Sequence, residues 1–348
     1  MTEHDRSAPH DASHDASHDA SHDTSHDALL RVDDLSVAFA TERGEALAVD
    51  GVSFTLRRGE VLSLVGESGC GKSATAMSVL RLIPEPPGRI AGGRVVFDGQ
   101  DLTAMAERDL EHIRGNRIGM VFQEPMTSLN PVFRVGEQIA EPLRVHRRMK
   151  RAEALAKAAA LLDEVGIPDA AKRLRDFPHQ LSGGMRQRVM IAMAVACEPE
   201  CIIADEPTTA LDVTVQKQVL QLLTRLTRDR GNSLLLITHD LGVVYETADR
   251  VAVMYSGKIV EEAPVKDLFA APSHPYTRGL MLSRPRLDPA ARHERLPSIP
   301  GVVPNPLSRL EGCAFRDRCP MAMAQCAAAP PVEEVGPGHF SRCWLARG

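Results

Sequence analysis

Long hydrophobic runs are missing from this sequence of 348 residues. No stretch approaches the roughly 18 consecutive apolar residues that a membrane-spanning helix needs. The first residues are polar and acidic, so they also lack the apolar centre of a secretory signal. We therefore expect a chain that stays in the cytosol, where any role at a membrane comes through partner subunits.

A large excess of charge of one sign is also missing from most of the chain. The net charge is −5, but residues 1–28 hold seven acidic side chains and one arginine, which leaves the remainder near neutral. A body so close to neutral gives no electrostatic argument for nucleic acid as a partner. The same segment repeats His-Asp-Ala-Ser and is too polar to bury a core, which predicts a disordered tail over 1–28.

Short apolar strands alternate with helical segments from Leu29 onward. The alternation predicts an α/β fold, with a mostly parallel sheet covered by helices and a helical insert in the middle. The alanine-rich run AEALAKAAALLDEVG is the clearest helix of that insert. Past Pro272 the proline content rises and regular periodicity fades, so we predict a separate extension over 272–348.

A glycine-rich segment, GESGCGKS, follows the apolar strand VLSLV and opens a helix. This is the context that a phosphate-binding loop requires, since its backbone N–H groups and the helix N-terminus face one anion. Lys72 would reach the β- and γ-phosphates and the Ser73 hydroxyl would hold Mg²⁺. Kinases, GTPases and motor ATPases share such a loop, so by itself it predicts only a nucleotide. The residues expected to bind ATP here are Gly66, Glu67, Ser68, Gly69, Cys70, Gly71, Lys72, Ser73 and Ala74.

Two acidic residues end a second apolar strand, in CIIADEP. Asp205 suits a magnesium site, usually through water, and Glu206 could orient and polarise an attacking water. In isolation, both acids could equally be exposed residues at a strand end.

A second anion-binding arrangement lies in LSGGMRQR, where Ser182, Gly183 and Gly184 open a helix. One chain has little use for two such helix ends on one nucleotide. Two chains arranged head to tail can use both, because each chain supplies the second phosphate-binding helix end to the ATP of its partner.

With these motifs, the chain resembles the ATP-binding subunits of ABC transporters over about residues 29–345, and LSGGMRQR matches the ABC signature. The resemblance implies a P-loop NTPase (RecA-like) core, an antiparallel β subdomain and a helical ABC subdomain at about 125–196. These parts form an ATPase domain over 29–271, followed by a cysteine-rich C-terminal extension.

The resemblance also assigns further site residues. Phe39 matches the aromatic that stacks on adenine, although it could be a core residue. Gln123 matches the glutamine that touches Mg²⁺ and faces the transmembrane partner, and His239 matches the switch histidine that contacts the γ-phosphate. Asp212 belongs to the D-loop, in Ala-Leu-Asp. Since Lys72, Asp205, Glu206 and His239 are all present, we expect the chain to hydrolyse ATP rather than only to bind it.

Further stretches are similar to importers of dipeptides and oligopeptides: QEPMTSLNP, FPHQLSGGMRQR, HPYTRGL and the tail from SIPG to GCAFRDRCP. This branch implies two transmembrane permeases, a second ATPase subunit that is usually a different chain, and an extracytoplasmic binding protein. The chain would then be a peripheral protein at the cytoplasmic face of the inner membrane. Nickel and glutathione importers share the branch. A soluble ABC ATPase of DNA repair or translation is a further alternative, but the long coiled coils or fused copies of those proteins are missing.

Four cysteines lie close together near the C-terminal end: Cys313, Cys319, Cys326 and Cys343. Four thiolates can hold zinc or an iron–sulfur cluster, or they can remain without a ligand. The spacing lacks the C-x₂-C pair of common zinc folds. The resemblance to peptide importers implies a [4Fe–4S] cluster at these positions.

Overall fold

The computed structural model describes residues 27–124, 128–209, 211–283, 298–305, 307 and 311–347. The predicted disordered tail lies outside the described residues, apart from its last two positions. So do residues 125–127 of the segment after Gln123 and the alanine of the predicted D-loop.

Two sheets and a set of helices make up the described part of the chain. The strands are β1 (Ala28–Thr41), β2 (Gly44–Arg57), β3 (Val61–Val65), β4 (Gly88–Phe97), β5 (Gln100–Asp101), β6 (Ile118–Val121), β7 (Cys201–Asp205), β8 (Ser233–Ile237), β9 (Arg250–Tyr255), β10 (Lys258–Pro264), β11 (Glu333–Gly336) and β12 (His339–Ser341). The helices are α1 (Lys72–Val79), α2 (Glu107–Glu111), α3 (Val135–His146), α4 (Arg151–Glu164), α5 (Ala170–Arg173), α6 (Gly183–Val195), α7 (Val213–Asp229), α8 (Leu241–Thr247), α9 (Val265–Ala270) and α10 (Pro275–Leu282). Short 3₁₀ turns cover Pro178–Gln180, Arg316–Arg318, Ala324–Ala327 and Trp344–Arg347.

The main sheet has the strand order β11-β12-β10-β9-β3-β8-β7-β6. From β9 to β6 its neighbouring strands are parallel, whereas β10, β12 and β11 add to one edge in antiparallel fashion. Every residue of β3, β7 and β8 is buried, because helices and a second sheet cover both faces. The predicted mostly parallel sheet is confirmed.

A smaller antiparallel sheet, in the order β2-β1-β4-β5, packs on one face of the main sheet. Alternate residues of β3 supply the two cores, as the two-residue period of a strand requires. Leu62 and Leu64 join α1 and the antiparallel sheet in one core. Val61 and Val65 join the helical part in the other core.

Helices α3 to α6 lie between β6 and β7 and form a helical part of the described chain. Helix α4 carries the alanine-rich run, and it buries Ala154, Ala158, Leu161 and Leu162 at helical spacing. Within the described ranges, no helix combines the length and apolarity needed to cross a bilayer.

Candidate active site

The glycine-rich loop connects β3 to α1, as the sequence predicts. Its backbone needs glycine at Gly66 and Gly71, where a Cβ atom would lie 2.2 Å from the Met254 backbone oxygen and 2.4 Å from that of Ala48. The φ angle of Gly71 is also positive, at +106°, which L-residues with side chains rarely adopt. The loop therefore packs closely between β9 and β2.

The other loop residues differ in their exposure to solvent. Ser68 and Gly69 are exposed at the tip, whereas Cys70 is buried beneath the loop. The Sγ atom of Cys70 lies 3.9 Å from Lys72 Nζ, and burial raises the pKa of this thiol while the lysine lowers it. Ala74 packs against the core on the first turn of α1.

Lys72 lies folded over the loop and is almost completely buried, with 4% of its surface exposed. Its Nζ atom donates to the backbone oxygens of Gly66, at 2.9 Å, and Glu67, at 3.0 Å. The same atom lies 3.7 Å from Glu206 Oε1. The lysine ammonium and the strand-end carboxylate thus share one small volume next to the loop.

Asp205 and Ser73 meet where β7 ends beside the start of α1. The Ser73 hydroxyl donates to Asp205 Oδ1 at 3.0 Å. Burial raises the pKa of Asp205, the hydrogen bond from Ser73 lowers it, and the adjacent Glu206 raises it. A hydroxyl and a carboxylate oxygen at the edge of a phosphate loop form the oxygen donor set that Mg²⁺ prefers, so these residues fit the predicted ion.

Glu206 contacts three other predicted site residues, Lys72, Gln123 and His239. Its Oε2 atom accepts from Gln123 Nε2 at 3.4 Å and lies 3.4 Å from His239 Nδ1. The Thr209 hydroxyl donates to the same oxygen at 3.2 Å, a contact that the sequence did not predict. Glu206 has a positive φ of 42°, a conformation that is uncommon in a non-glycine residue.

His239 and its neighbour Asp240 lie between β8 and α8. The His239 side chain is 66% exposed, so its ring can reach a ligand above the site. The Asp240 carboxylate accepts from the backbone N–H groups of Gly242 and Val243 and caps α8. This cap fixes the chain direction immediately after the histidine.

Phe39 lies on β1 of the antiparallel sheet, opposite Ala46 on β2 and Gly88 on β4. A Cβ atom at Gly88 would approach the Phe39 ring to 2.9 Å, so the glycine makes room for the aromatic side chain. Strand β2 also carries Ala48, which contacts Gly71 of the loop. The strand pair of Phe39 therefore passes beside the phosphate loop, while the ring itself remains partly buried.

The signature segment lies elsewhere on the surface of the chain. Ser182 caps α6 and accepts from Met185 N at 3.3 Å, and Gly183 and Gly184 form the first turn. Asp212 caps α7 in the same way, accepting from Thr214 and Val215. Among the described residues, no hydrogen bond or ion pair joins Ser182 or Asp212 to the phosphate loop. The structure thus brings Gln123, Asp205, Glu206 and His239 together beside the phosphate loop. The signature residues and Asp212 face outward.

The four C-terminal cysteines line one cavity of about 10 Å³, which is roughly the size of a single water molecule. All four are free thiols, and burial raises the pKa of Cys313, Cys319 and Cys343, which opposes the thiolate form that metal binding needs. Within the described ranges, no group of three or more His, Cys, Asp or Glu side chains is placed to hold a metal ion. The predicted [4Fe–4S] cluster is therefore not supported.

Two residues of the extension that the sequence did not single out reach the loop. Tyr276 accepts a hydrogen bond from Glu67 N at 2.9 Å, and Arg318 forms an ion pair with the Glu67 carboxylate. Both residues lie in stretches that resemble the peptide-importer branch, but nothing local in the sequence connects them to a loop more than 200 residues away.

Solved structures with a similar fold are ATP-binding cassettes. One is a dimeric cassette in a post-hydrolysis state bound to ADP and phosphate, with a TM-score of 0.62, 28% identity, and coverage of 68% of this chain and 99% of that one. Another is CbiO1 from Clostridium perfringens, part of an ABC transporter complex, with a TM-score of 0.58 and 28% identity over 70% of this chain and 91% of that one. The fold and the site thus define an ATP-binding cassette ATPase.

Two family descriptions match the sequence: the ABC transporter family over residues 49–209, and the C-terminal region of oligopeptide/dipeptide transporters over residues 260–326. A probable peptide ABC transporter ATP-binding protein of Sinorhizobium fredii is 54% identical over 91% of this chain and 94% of its own length. The oligopeptide transport ATP-binding protein OppD of Escherichia coli is 49% identical over 91% and 93%. The chain belongs to the ABC transporter family of ATP-binding subunits, and its activity is the ATP hydrolysis that drives transport.

Proposed function

We propose that this chain hydrolyses ATP to power the import of dipeptides or oligopeptides, at the cytoplasmic face of the inner membrane. The observation that carries the cargo is the combination of the cassette with the oligopeptide/dipeptide transporter C-terminal region in one chain. The relatives of about 50% identity are named as subunits of peptide transporters, which supports the same cargo class.

In the proposed site, the loop residues Gly66 to Ala74 surround the phosphates and Lys72 neutralises their charge. Bound Mg²⁺ would supply further neutralisation of the phosphate charge, held by Ser73, Asp205 and Gln123. Glu206 accepts a proton from water and orients it, since its carboxylate is fixed by Gln123, Thr209 and His239. Phe39 would contact adenine from the antiparallel sheet.

The outward-facing signature supports a head-to-tail pair of ATPase subunits. Ser182, Gly183 and Gly184 present a hydroxyl and a helix N-terminus to the surface. Asp212 caps the nearby helix α7, and the side chains of Leu211 and Val215 lie next to the two glycines. A second subunit would place its phosphate loop against this helix end, so that each ATP is held by both chains. Closing the pair would move the helical insert and the permeases attached to it.

The test is reconstitution with the two permeases and the extracytoplasmic binding protein. ATP hydrolysis should rise when that binding protein carries a peptide, and a chain with Lys72→Ala should show no rise. Stimulation by nickel or glutathione instead of peptide would contradict the peptide assignment and identify that compound as the cargo. Association of the chain with DNA or ribosomes in place of permeases would overturn the transport role.

A further inference from the structure

The C-terminal extension grips the phosphate loop at Glu67, the second residue of the loop. Arg318 donates from Nη1 to Glu67 Oε2 at 2.7 Å and from Nη2 to Oε1 at 3.0 Å, a bidentate ion pair. Tyr276 accepts from the backbone N–H of the same residue at 2.9 Å. Glu67 is therefore held by its side chain and its backbone from outside the segment that forms the cassette core.

The Arg318 guanidinium is fixed before it meets the carboxylate. Its side chain is 6% exposed, and its Nε donates to the Pro300 backbone oxygen at 2.9 Å. The group lies over the rings of Tyr255 and Phe315, with 5.7 and 5.9 Å to their centroids. Because a guanidinium donates in one plane, these contacts aim its two outer nitrogens at the loop.

A displacement of Glu67 would also displace Lys72, the lysine expected to bind phosphate. The Glu67 backbone oxygen accepts from Lys72 Nζ at 3.0 Å, and the neighbouring Gly66 is wedged against the Met254 carbonyl. The loop thus has little freedom to absorb a displacement on one side. A chain of direct contacts runs from Arg318 through Glu67 to the Lys72 ammonium.

We propose that Arg318 is a positioning residue for ATP binding, which holds Glu67 so that Lys72 and the loop backbone keep the geometry that receives phosphate. The inference rests on the proposed role of residues 66–73 as the ATP-binding loop. The competing explanation is that the ion pair only fastens the extension to the core.

The test compares full-length variants by steady-state ATP hydrolysis and by thermal unfolding. Arg318→Gln should raise the KM for ATP about tenfold and change kcat less, since it removes an interaction that serves binding. Arg318→Lys should recover part of the loss, because one charge remains without the bidentate fork. Arg316→Gln is the matched control, as its guanidinium pairs with its exposed neighbour Asp317 and should leave KM unchanged.

A double variant separates positioning from fastening. If the effect travels through Glu67, Glu67→Gln should raise the KM as Arg318→Gln does, and the two changes together should be no worse than the larger single effect. A lower Tm with an unchanged KM in both single variants would overturn the inference and leave only the fastening role. Should Arg318→Gln fail to fold, Glu67→Gln still decides, because a carboxamide preserves the side-chain volume at a position that is 25% exposed.

Lys72→Ala distinguishes this inference from the site assignment. Normal ATP binding by Lys72→Ala would refute the assignment of the loop itself. Loss of ATP binding in Lys72→Ala, with an unchanged KM in Arg318→Gln and Glu67→Gln, would refute only the role of Arg318.

Discussion

Replacing Ser182 by alanine separates the stability of one subunit from the assembly of two. In the single chain the Ser182 hydroxyl accepts one bond of 3.3 Å from Met185 N at the exposed start of α6. Losing such a cap costs about 0.5–1 kcal/mol of the free energy of unfolding. For a chain of this size, that corresponds to a fall in Tm of about 2 °C.

A much larger effect is expected on ATP hydrolysis. If Ser182 contacts the phosphates of ATP bound to the partner, its hydroxyl makes a hydrogen bond to a charged group, worth about 1.5–3 kcal/mol. Hydrolysis should then fall by about 10- to 100-fold while the fold remains intact. A small fall in Tm together with a large fall in the rate of ATP hydrolysis would indicate that Ser182 acts on ATP bound to another chain.

Mixing two inactive variants provides the assay. A Lys72→Ala chain lacks its own loop lysine and a Ser182→Ala chain lacks its own signature hydroxyl. A mixed dimer has one seam with both residues intact, so random mixing should restore activity at about a quarter of the wild-type sites. Where the wild-type chain pairs with its own copies, failure to recover any activity on mixing, although both variants are folded and form dimers, would refute the head-to-tail arrangement.

Four further predictions concern the site and its support. Glu206→Gln should lower ATP hydrolysis by about 10²–10³-fold and leave ATP binding in place, as measured by turnover and by nucleotide titration; a wild-type rate would contradict the proposed role. Gly71→Ala should abolish ATP binding and lower Tm, because its Cβ would lie 2.4 Å from a backbone oxygen, whereas Gly231→Ala, which has a positive φ and open space, should cost only stability. Ser73→Ala should raise the magnesium concentration for half-maximal hydrolysis about tenfold when EDTA-treated protein is titrated, and an unchanged requirement would remove Ser73 from the magnesium site. Glu261→Ala should lower the free energy of unfolding by about 3 kcal/mol in denaturant titration, since this buried carboxylate accepts from two backbone N–H groups and pairs with a histidine ring; a change under 1 kcal/mol would argue against it.

The sequence predicted those features that have a local signal. Strands such as VLSLV and CIIAD are short apolar runs, and both are buried strands of the parallel sheet. The glycine-rich loop has a fixed spacing and sits at the predicted strand–helix junction. Local patterns therefore sufficed for the core of the fold and for the positions of the loop and of the strand that ends in Asp205.

Strand β10 escaped prediction because its acidic residues and its proline are atypical of a buried strand. Glu261 is nevertheless buried and the Glu262 side chain is only 13% exposed, since the first accepts from the start of the extension and the second pairs with Arg250. Their charges are compensated by partners that are distant along the chain or lie on the next strand. A single sequence gives no sign of such compensation.

Contacts that depend on how the chain folds were also not predictable from the sequence. Thr209 is close to Glu206 in sequence, but its hydrogen bond depends on the turn that follows β7. The pair of Glu67 with Arg318 spans 251 positions and depends on how the extension folds back. Conversely, the resemblance to peptide importers implied a cluster at the four cysteines, which the described residues do not support.

The hairpin of β11 and β12 has a consequence for the fate of a shortened chain. Its pairing of Ser341 and Phe340 with Glu261 and Glu262 covers what would otherwise be the outermost strand of the main sheet. An uncovered strand of this kind offers unpaired backbone groups to any other extended polypeptide. Proteolysis that removed β11 and β12 would therefore expose the edge of β10 and make the subunit prone to aggregate with its own copies.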